Sequence, residues 1–167
     1  MIYSHAINSA SVEERENADC TQVAGFALEV CGLVFSGLPS PLGVSHGVYG
    51  AINTVTGKVA WSIPIVSSKP NSGMTVAGDL VFFGDSDGIF YAANAATGEI
   101  LWVFDALTVP GAGGANAAPA VYEIDGVEYV VTAFGGSPLF SPLLGDAVIA
   151  FALPSSKTAA AAKAKAK

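Results

Sequence analysis

Basic residues are scarce in this sequence and are crowded at its C-terminal end. The chain of 167 residues contains 7 Lys and Arg against 14 Asp and Glu, and four of the basic residues lie in the final segment KTAAAAKAKAK. Residues 1–156 therefore carry 3 basic and 14 acidic side chains, a net charge of −11. Because so acidic a surface repels a phosphate backbone, nucleic acid is not an expected partner.

Long apolar runs and cofactor-attachment motifs are also missing. No apolar run reaches 18 residues, so we expect no membrane-spanning segment. The N-terminal MIYSHAIN has no basic region followed by a cleavage site, and we expect no signal peptide in this chain. Cys20 and Cys31 form neither a CxxC nor a CxxCH motif, which argues against zinc and covalent haem. The two cysteines are either a disulfide of an oxidising compartment or two small apolar residues.

The remaining composition is that of a packed protein with many turns. Half of the residues are apolar (51%), only 13% are charged, and there are 19 Gly and 9 Pro. Disordered chains are poorer in apolar residues and richer in charge. At this length we expect one domain, built mainly of β-strands.

An eleven-residue phrase occurs twice, 41 residues apart. AINTVTGKVAW covers residues 51–61 and AANAATGEILW covers residues 92–102, with Ala, Asn, Thr, Gly and Trp at the same spacing. A period of about 40 residues made of short strands is typical of β-propeller blades. In each copy the Gly of the Thr-Gly pair suits a tight turn with positive φ, and apolar residues on both sides suit a hairpin.

The strand pattern extends on both sides of the repeat. Four strands are predicted in GMTVAG, DLVFFGDSDG, GIFYAAN and EILWVF, followed by APAVYEID, EYVVTAF and DAVIAFALP. The sequence therefore predicts an all-β fold, a partial β-propeller of two to three four-stranded antiparallel blades. Residues 1–156 form this unit with an irregular insertion at 9–45, and residues 157–167 form a flexible Ala/Lys-rich tail.

Trp61 and Trp102 end the two copies of the phrase and are predicted to be structural. A flat indole on the outer strand of one blade can lie against the next blade, while its N–H group finds a backbone carbonyl. We therefore expect both Trp side chains to be largely buried at the junctions between blades and to dock one blade on the next.

The phrase A-x-N-x-x-T-G-K/E-x-x-W resembles the tryptophan-docking motif of the pyrroloquinoline-quinone (PQQ) dehydrogenases. The order of segments over residues 47–154 is similar to the C-terminal part of quinoprotein glucose and alcohol dehydrogenases, most closely the membrane glucose dehydrogenase type. Asn53 and Asn94 stand where the family usually has Asp. The resemblance implies an eight-bladed propeller that holds PQQ and a divalent cation, usually calcium, near its axis.

The resemblance also implies which residues approach the cofactor. Asp87 matches a functionally important aspartate near the quinone, or it is the first residue of an Asp-Gly hairpin turn, or both. Gly135, Gly136 and Ser137 match a loop near the cofactor mouth, where many glucose dehydrogenases have His in place of Ser137; the glycines otherwise form a strand-end turn. Thr75 either lines the axial channel or packs against neighbouring residues of the fold. No catalytic base and no metal ligand of the family falls within this chain.

Two functions follow from these observations. In the first, the chain is the C-terminal propeller part of a periplasmic, PQQ-dependent dehydrogenase that oxidises an alcohol or sugar hydroxyl. In the second, it is a non-catalytic PQQ-like propeller repeat protein, a scaffold or binding module. In both, the expected partners are the remaining propeller blades or further copies of the chain, since an open arc leaves sheet edges unpaired.

Overall fold

The structure is a computed structural model, and its description covers residues 1–8, 13–15, 33–35, 46–65, 70–137 and 143–152. Twelve strands are described there, together with a single 3₁₀ turn at Ala106–Thr108. Among these residues no helix is long and apolar enough to cross a membrane. The predicted cysteine pair and the predicted C-terminal tail lie outside the described residues.

The central sheet confirms the predicted four-stranded antiparallel unit. Its strands follow the chain in order, β6 (Thr75–Ala77), β7 (Leu80–Gly84), β8 (Ile89–Asn94) and β9 (Ile100–Asp105). All three pairings are antiparallel. Short turns connect each pair of neighbours, so successive turns lie at opposite ends of the sheet.

Two three-stranded sheets flank the central one in the sequence. The first contains β1 (Ile2–Asn8), β4 (His46–Ile52) and β5 (Val59–Ile65), in that spatial order. The third contains β10 (Ala120–Ile124), β11 (Val127–Phe134) and β12 (Ala147–Ala152). Within the insertion at 9–45, β2 (Glu13–Arg15) pairs antiparallel with β3 (Leu33–Phe35), a pairing that the prediction of an irregular segment did not include.

The repeated phrase folds into the same turn in both copies. The Asn53 side-chain oxygen accepts from the N–H groups of residues 55 and 56 at 2.9 and 3.1 Å, and that of Asn94 accepts from residues 96 and 97 at 2.9 and 3.0 Å. Gly57 and Gly98 adopt φ of +68° and +75°. Because the turn uses only a side-chain oxygen as acceptor, Asn serves as well as the Asp usual in the family.

Strand β7 of the central sheet is buried on both faces. Val81 and Phe83 point to the first sheet, where they pack with Tyr49 and Trp61. Phe82 points to the opposite face, toward the third sheet. Side chains alternate along a strand, so a continuous apolar run supplies two cores at once. Because both faces of β7 are covered, its sequence LVFFG contains no polar side chain.

Trp61 joins the first sheet to the central one, as the sequence predicts. Its exposed fraction is 8%, and its indole N–H donates to the Ala95 carbonyl at 3.0 Å. The ring covers Gly98, at which an added Cβ would lie 2.7 Å from the indole. Pairing places Ala51 directly opposite Trp61, and the small residue leaves room for the ring. The repeated Ala, Gly and Trp of the phrase thus each contribute to this contact between the sheets.

Trp102 departs from the prediction of burial, which was wrong for this residue. It lies opposite Ala92, as Trp61 lies opposite Ala51, but 40% of its side chain is exposed. Its ring meets Phe151 of the third sheet at a centroid distance of 5.1 Å. The segment that follows β12 reads LPSS and lacks the Asn-x-x-Thr-Gly turn onto which an indole docks. The third sheet therefore offers only part of a receiving surface.

The difference in burial predicts a difference in stability between two Trp substitutions. We expect Trp61→Ala to lower the free energy of unfolding by about 3–5 kcal/mol, as large-to-small changes in aromatic cores do. Trp102→Ala removes a ring that is already partly solvated, and we expect the smaller loss. Urea denaturation of both variants, with the midpoint and slope compared, measures this. Equal losses would contradict the structural assignment of Trp61 as the main joint.

The two turn glycines provide a matched pair of substitutions. At Gly57 an added Cβ would meet nothing within 4 Å, whereas at Gly98 it would strike the Trp61 ring. In both Ala variants the positive φ lowers the free energy of unfolding by about 1–2 kcal/mol. Gly98→Ala must also displace the indole, which lowers it by about 1–3 kcal/mol more. We expect the Gly98 variant to be the less stable in urea denaturation, with a red-shifted Trp emission. Indistinguishable variants would show that the indole does not rest on this turn.

Candidate functional site

Loops of the central and third sheets meet at one end of these sheets, and we call this region the loop end. It contains the β7–β8 turn, residues 106–119 between β9 and β10, and residues 135–137 and 143–146 between β11 and β12. The connector 109–119 holds these parts together: the N–H of Ala115 donates to the Asp85 carbonyl at 2.8 Å, and that of Gly113 donates to the Phe134 carbonyl at 2.7 Å. Residues 111–119, GAGGANAAP, thus form a loop between the central and third sheets.

Asp85 organises the β7–β8 turn at the loop end. One carboxylate oxygen accepts from the N–H groups of Asp87 and Ile89, each at 3.0 Å, and the other accepts from the Tyr91 hydroxyl at 2.8 Å. Only 3% of Asp85 is exposed. Burial raises the pKa of this carboxyl, and the hydrogen bonds from Tyr91 and the two backbone groups oppose that rise. Burial likewise raises the pKa of Tyr91, and the nearby Asp85 charge raises it further.

Tyr49 ties the first sheet to the same turn. Its ring is fully buried, its hydroxyl donates to the Gly84 carbonyl, and it accepts from the Ser72 N–H at 3.1 Å. Burial is the main cause of a raised pKa for Tyr49, so this hydroxyl stays neutral. Ser72 in turn donates to the Ala117 carbonyl at 3.0 Å. Three segments far apart in the sequence thus converge beside Asp85.

Asp87, the acid singled out by the sequence, lies two residues further along the turn. It is half-buried, and Gly88 beside it adopts a φ of +85°, as a hairpin turn requires. The sequence analysis did not identify Asp85, which is the more buried carboxylate and the one bonded to a tyrosine. The signal was present in the pattern D-S-D-G, because an Asp two residues before the turn commonly accepts from the turn N–H groups.

The Gly135-Gly136 pair is engaged by neighbouring backbone. The N–H of Gly136 donates to the Gly114 carbonyl at 2.9 Å, and the Gly135 carbonyl accepts from the N–H of Gly145 at 3.0 Å. A Cβ on Gly136, whose φ is +66°, would lie 2.0 Å from the Leu143 carbonyl oxygen. The absence of a side chain at Gly136 therefore lets the backbone of the protein's own loop at Leu143 pack against it. Ser137, the next residue, is half-buried.

Thr75 lies at the start of β6, on the same end of the sheet. Its hydroxyl donates to the Pro119 carbonyl at 2.6 Å. This bond links the central sheet to the connector just before the third sheet begins. The contact agrees with the packing alternative for Thr75, while its place at the loop end keeps it near Ser72 and the connector.

Asn116 is a feature of the loop end that the sequence did not reveal. Its amide nitrogen donates to the Ser86 hydroxyl at 3.3 Å. Its side-chain oxygen is buried and accepts no hydrogen bond from the described residues. A buried acceptor without a donor is unfavourable by about 1–3 kcal/mol. The Asn116 oxygen is thus a buried acceptor next to the Ser86-Asp87 turn that the described residues leave unpaired.

These residues do not form a site for PQQ or calcium by themselves. PQQ is an acidic quinone, and binding its carboxylates calls for cationic or N–H donors. Residues 70–137 contain no Lys or Arg, and the charged side chains of the loop end are the carboxylates of Asp85, Asp87 and Asp146, beside the amide oxygen of Asn116. No group of three His, Cys, Asp or Glu that could hold a metal ion is found among the described residues. The loop end is acceptor-rich, which suits a donor ligand and not an anionic one.

Comparison with known proteins agrees with the architecture. A PQQ-type family model, described as outer membrane protein assembly factor BamB, matches residues 24–152. The chain therefore belongs to this family of PQQ-type propeller repeats. It is also 48% identical over 44 residues, 26% of the chain, to a quinoprotein glucose dehydrogenase of Gluconobacter oxydans. The corresponding enzyme of Escherichia coli is 44% identical over 41 residues, 25% of the chain.

Two solved structures are similar in fold and in sequence. The quinohemoprotein alcohol dehydrogenase from Comamonas testosteroni matches 72% of the chain at 32% identity, with a TM-score of 0.53. The alcohol dehydrogenase ADHIIG from Pseudomonas putida HK5 matches 80% at 27% identity, with a TM-score of 0.52. The chain spans 18 to 20% of these structures and 5% of the two glucose dehydrogenases. The resemblance to PQQ-dependent dehydrogenases is thereby confirmed.

The buried Asp85 predicts a pH dependence of stability. Because its pKa is raised on folding, the native state binds more protons than the unfolded chain from about pH 4 upward. This contribution to stability is present at low pH and is lost as the pH rises through the folded pKa. Asp85→Asn keeps an acceptor for the two N–H groups and cannot ionise, so its stability relative to the parent should grow from about pH 4 to pH 7.

A second variant tests the role assigned to Tyr91. The Tyr91 hydroxyl lowers the pKa of Asp85, so Tyr91→Phe should extend the loss of stability to higher pH. Urea denaturation at several pH values measures both variants against the parent chain. If the difference in the free energy of unfolding between Asp85→Asn and the parent were the same at every pH, the Asp85 carboxyl would not be the group that titrates.

Proposed function

We propose that this chain forms C-terminal propeller blades of a PQQ-dependent dehydrogenase that oxidises an alcohol or sugar hydroxyl. The observation that carries the proposal is the acceptor-rich loop end beside Ser86 and Asp87. The oxygen of Asn116 there accepts no hydrogen bond from the described residues and suits a hydroxyl donor, and quinoprotein glucose dehydrogenases are among the relatives similar in sequence. We assign PQQ and calcium to other blades of the same propeller, since the loop end described here lacks the groups to hold them.

In this proposal the chain contributes a rim to the site. Asp87 and the Gly135-Gly136-Ser137 loop lie on the cofactor side, and Thr75 lies at the entrance to the axial channel. Asp85, Tyr91 and Tyr49 are positioning residues, because their hydrogen bonds fix the turn that carries Asp87. The polypeptide with the remaining blades supplies the catalytic base and the metal ligands. We place the assembled protein in the periplasm, as the resemblance implies.

A second candidate function is a non-catalytic scaffold or binding module. The observation that favours it is the description of the matching family model, which names an outer membrane assembly factor. In this case the same propeller surface would bind a protein, and no quinone would be required. The two functions differ in whether the assembled propeller binds PQQ.

The test is reconstitution of dehydrogenase activity. We expect the chain alone, with PQQ and calcium added, to show no turnover of glucose or short alcohols with an artificial dye. Turnover should appear when a polypeptide with the remaining blades of a glucose dehydrogenase is added. In that mixture Asn116→Leu should raise KM for the substrate, whereas the exposed Val55→Ser on the opposite end should have no effect.

Three results would contradict parts of this proposal. Turnover by the chain alone would show that catalytic groups have been misplaced. An assembled propeller that binds no PQQ would favour the scaffold. An unchanged KM in Asn116→Leu, with turnover otherwise normal, would remove Asn116 from the substrate rim while leaving the dehydrogenase assignment intact.

A further inference from the structure

Two Asp-Gly pairs occur in the sequence, and both lie in hairpin turns. Asp87-Gly88 lies between β7 and β8, and Asp125-Gly126 lies between β10 and β11. The second turn is at the end of the third sheet opposite the loop end, because β11 runs from it to Phe134. The backbone nitrogen that follows an Asp can attack the side-chain carboxyl carbon. A glycine at that position presents no side chain that hinders the approach.

The turn at Asp125 leaves both reacting groups accessible. Asp125 and Gly126 are exposed, and a Cβ added at Gly126 would meet nothing within 4 Å. Within the described part of the chain, the Gly126 N–H has no backbone acceptor and the Asp125 carboxylate accepts no hydrogen bond. Asp125 is also the one non-glycine residue of that part with a positive φ, 51°, a conformation that L residues rarely adopt. It can therefore leave this conformation without breaking a side-chain contact.

The turn at Asp87 holds the same two residue types in place. The Gly88 N–H donates to the Asp85 carbonyl at 3.2 Å, and the Asp87 N–H donates to the Asp85 carboxylate at 3.0 Å. A Cβ on Gly88 would lie 3.0 Å from the Gly113 carbonyl oxygen, so the connector covers this turn. The nitrogen of Gly88 is therefore engaged, and it is released only when the turn opens locally.

We propose that Asp125-Gly126 is a site of spontaneous succinimide formation and of conversion to isoaspartate, whereas Asp87-Gly88 is protected in the folded chain. In the first step the Gly126 nitrogen bonds to the carboxyl carbon of Asp125, and the N–H proton leaves with the carboxyl OH as water. In the second step water adds to one of the two ring carbonyls and opens the ring. Opening at the side-chain carbonyl restores Asp125. Opening at the main-chain carbonyl gives isoaspartate, with no net change in mass.

Isoaspartate changes the tip of the hairpin because it lengthens the main chain by one carbon atom. The two-residue turn, with positive φ at both positions, closes the pair Ile124–Val127, and an extra chain atom does not fit this closure. The next pair places Glu123 directly opposite Glu128, and like charges that face each other weaken strand pairing. We therefore expect these two pairs to open in the modified chain.

The experiment follows heavy oxygen from solvent into the folded full-length chain. Each ring opening adds one solvent oxygen, so incubation at neutral pH in water labelled with heavy oxygen marks the site even when aspartate is restored. Digestion in ordinary water with a Glu-specific protease then releases residues 124–128, IDGVE, and residues 30–99. We expect the label at Asp125 to exceed the label located at Asp87 by fragmentation about tenfold or more, because the Asp87 turn must first open.

The same chain unfolded in concentrated urea is the matched control. Neither Asp-Gly pair is held in a turn there, and we expect both to take up label at similar rates. Isoaspartate itself is measured by methylation of its main-chain carboxylate with an isoaspartyl methyltransferase. Asp125→Asn keeps the turn, since Asn-Gly is favoured in such hairpins. It should form the same ring faster, with loss of ammonia, because a neutral amide is a better electrophile than a carboxylate ion.

Four results would overturn the inference or part of it. Equal labelling of the two sites in the folded chain would show that the hydrogen bonds at Asp87 give no protection. Label at Asp125 in urea alone would show that the folded turn prevents ring closure. Label without methylation would remove isoaspartate as a product. Equal hydrogen exchange of residues 123–128 in the modified and unmodified chains would contradict the opened tip. The proposed function stays untouched by all four, because the readouts involve neither quinone nor turnover.

Discussion

The contact between the Trp61 indole and the Ala95-to-Gly98 turn is the joint on which the arrangement of the first two sheets depends. A buried indole N–H without an acceptor would be costly, and the Ala95 carbonyl satisfies it at 3.0 Å. The ring can reach this carbonyl only because Gly98 has no side chain and Ala51 is small. Burial of a large ring and satisfaction of its polar group are thus obtained together.

Much of the fold was accessible from the sequence because local hydrogen bonds determine it. The Asn53 and Asn94 turns, the Asp125-Gly126 turn and the strands between them need only neighbouring residues to form. Asp125 and Gly126 adopt φ of 51° and 74°, as a two-residue hairpin requires. The exposure of the Trp102 side chain could not be predicted in this way. Its phrase is the same as that of Trp61, but the sequence LPSS after β12 lacks the Asn-x-x-Thr-Gly phrase that receives the Trp61 indole.

The loop end shows a second limit of sequence analysis. Asp85 and Asp87 are both acids of one turn, and the pattern D-S-D-G indicates only that Asp85 accepts from the turn N–H groups, not that it is buried against a tyrosine. This contact comes from the register of β7 with β8, which brings the Tyr91 hydroxyl to the Asp85 carboxylate. The connector 109–119 has no periodicity to interpret, yet its backbone contacts Asp85, Phe134 and Thr75. Long-range contacts of irregular segments leave little trace in local patterns.

The distribution of charge indicates how the work of a propeller could be divided between blades. The described loop end has carboxylates and an amide oxygen but no cation, because Lys and Arg are absent from residues 70–137. An anionic quinone held at the axis would be repelled by such a rim, and blades elsewhere must provide the opposing positive charge. The rim instead favours neutral donors, which a hydroxyl substrate supplies. Under the proposed function, these blades select and orient a hydroxyl while other blades hold the cofactor, and the joints between blades keep the two surfaces in register.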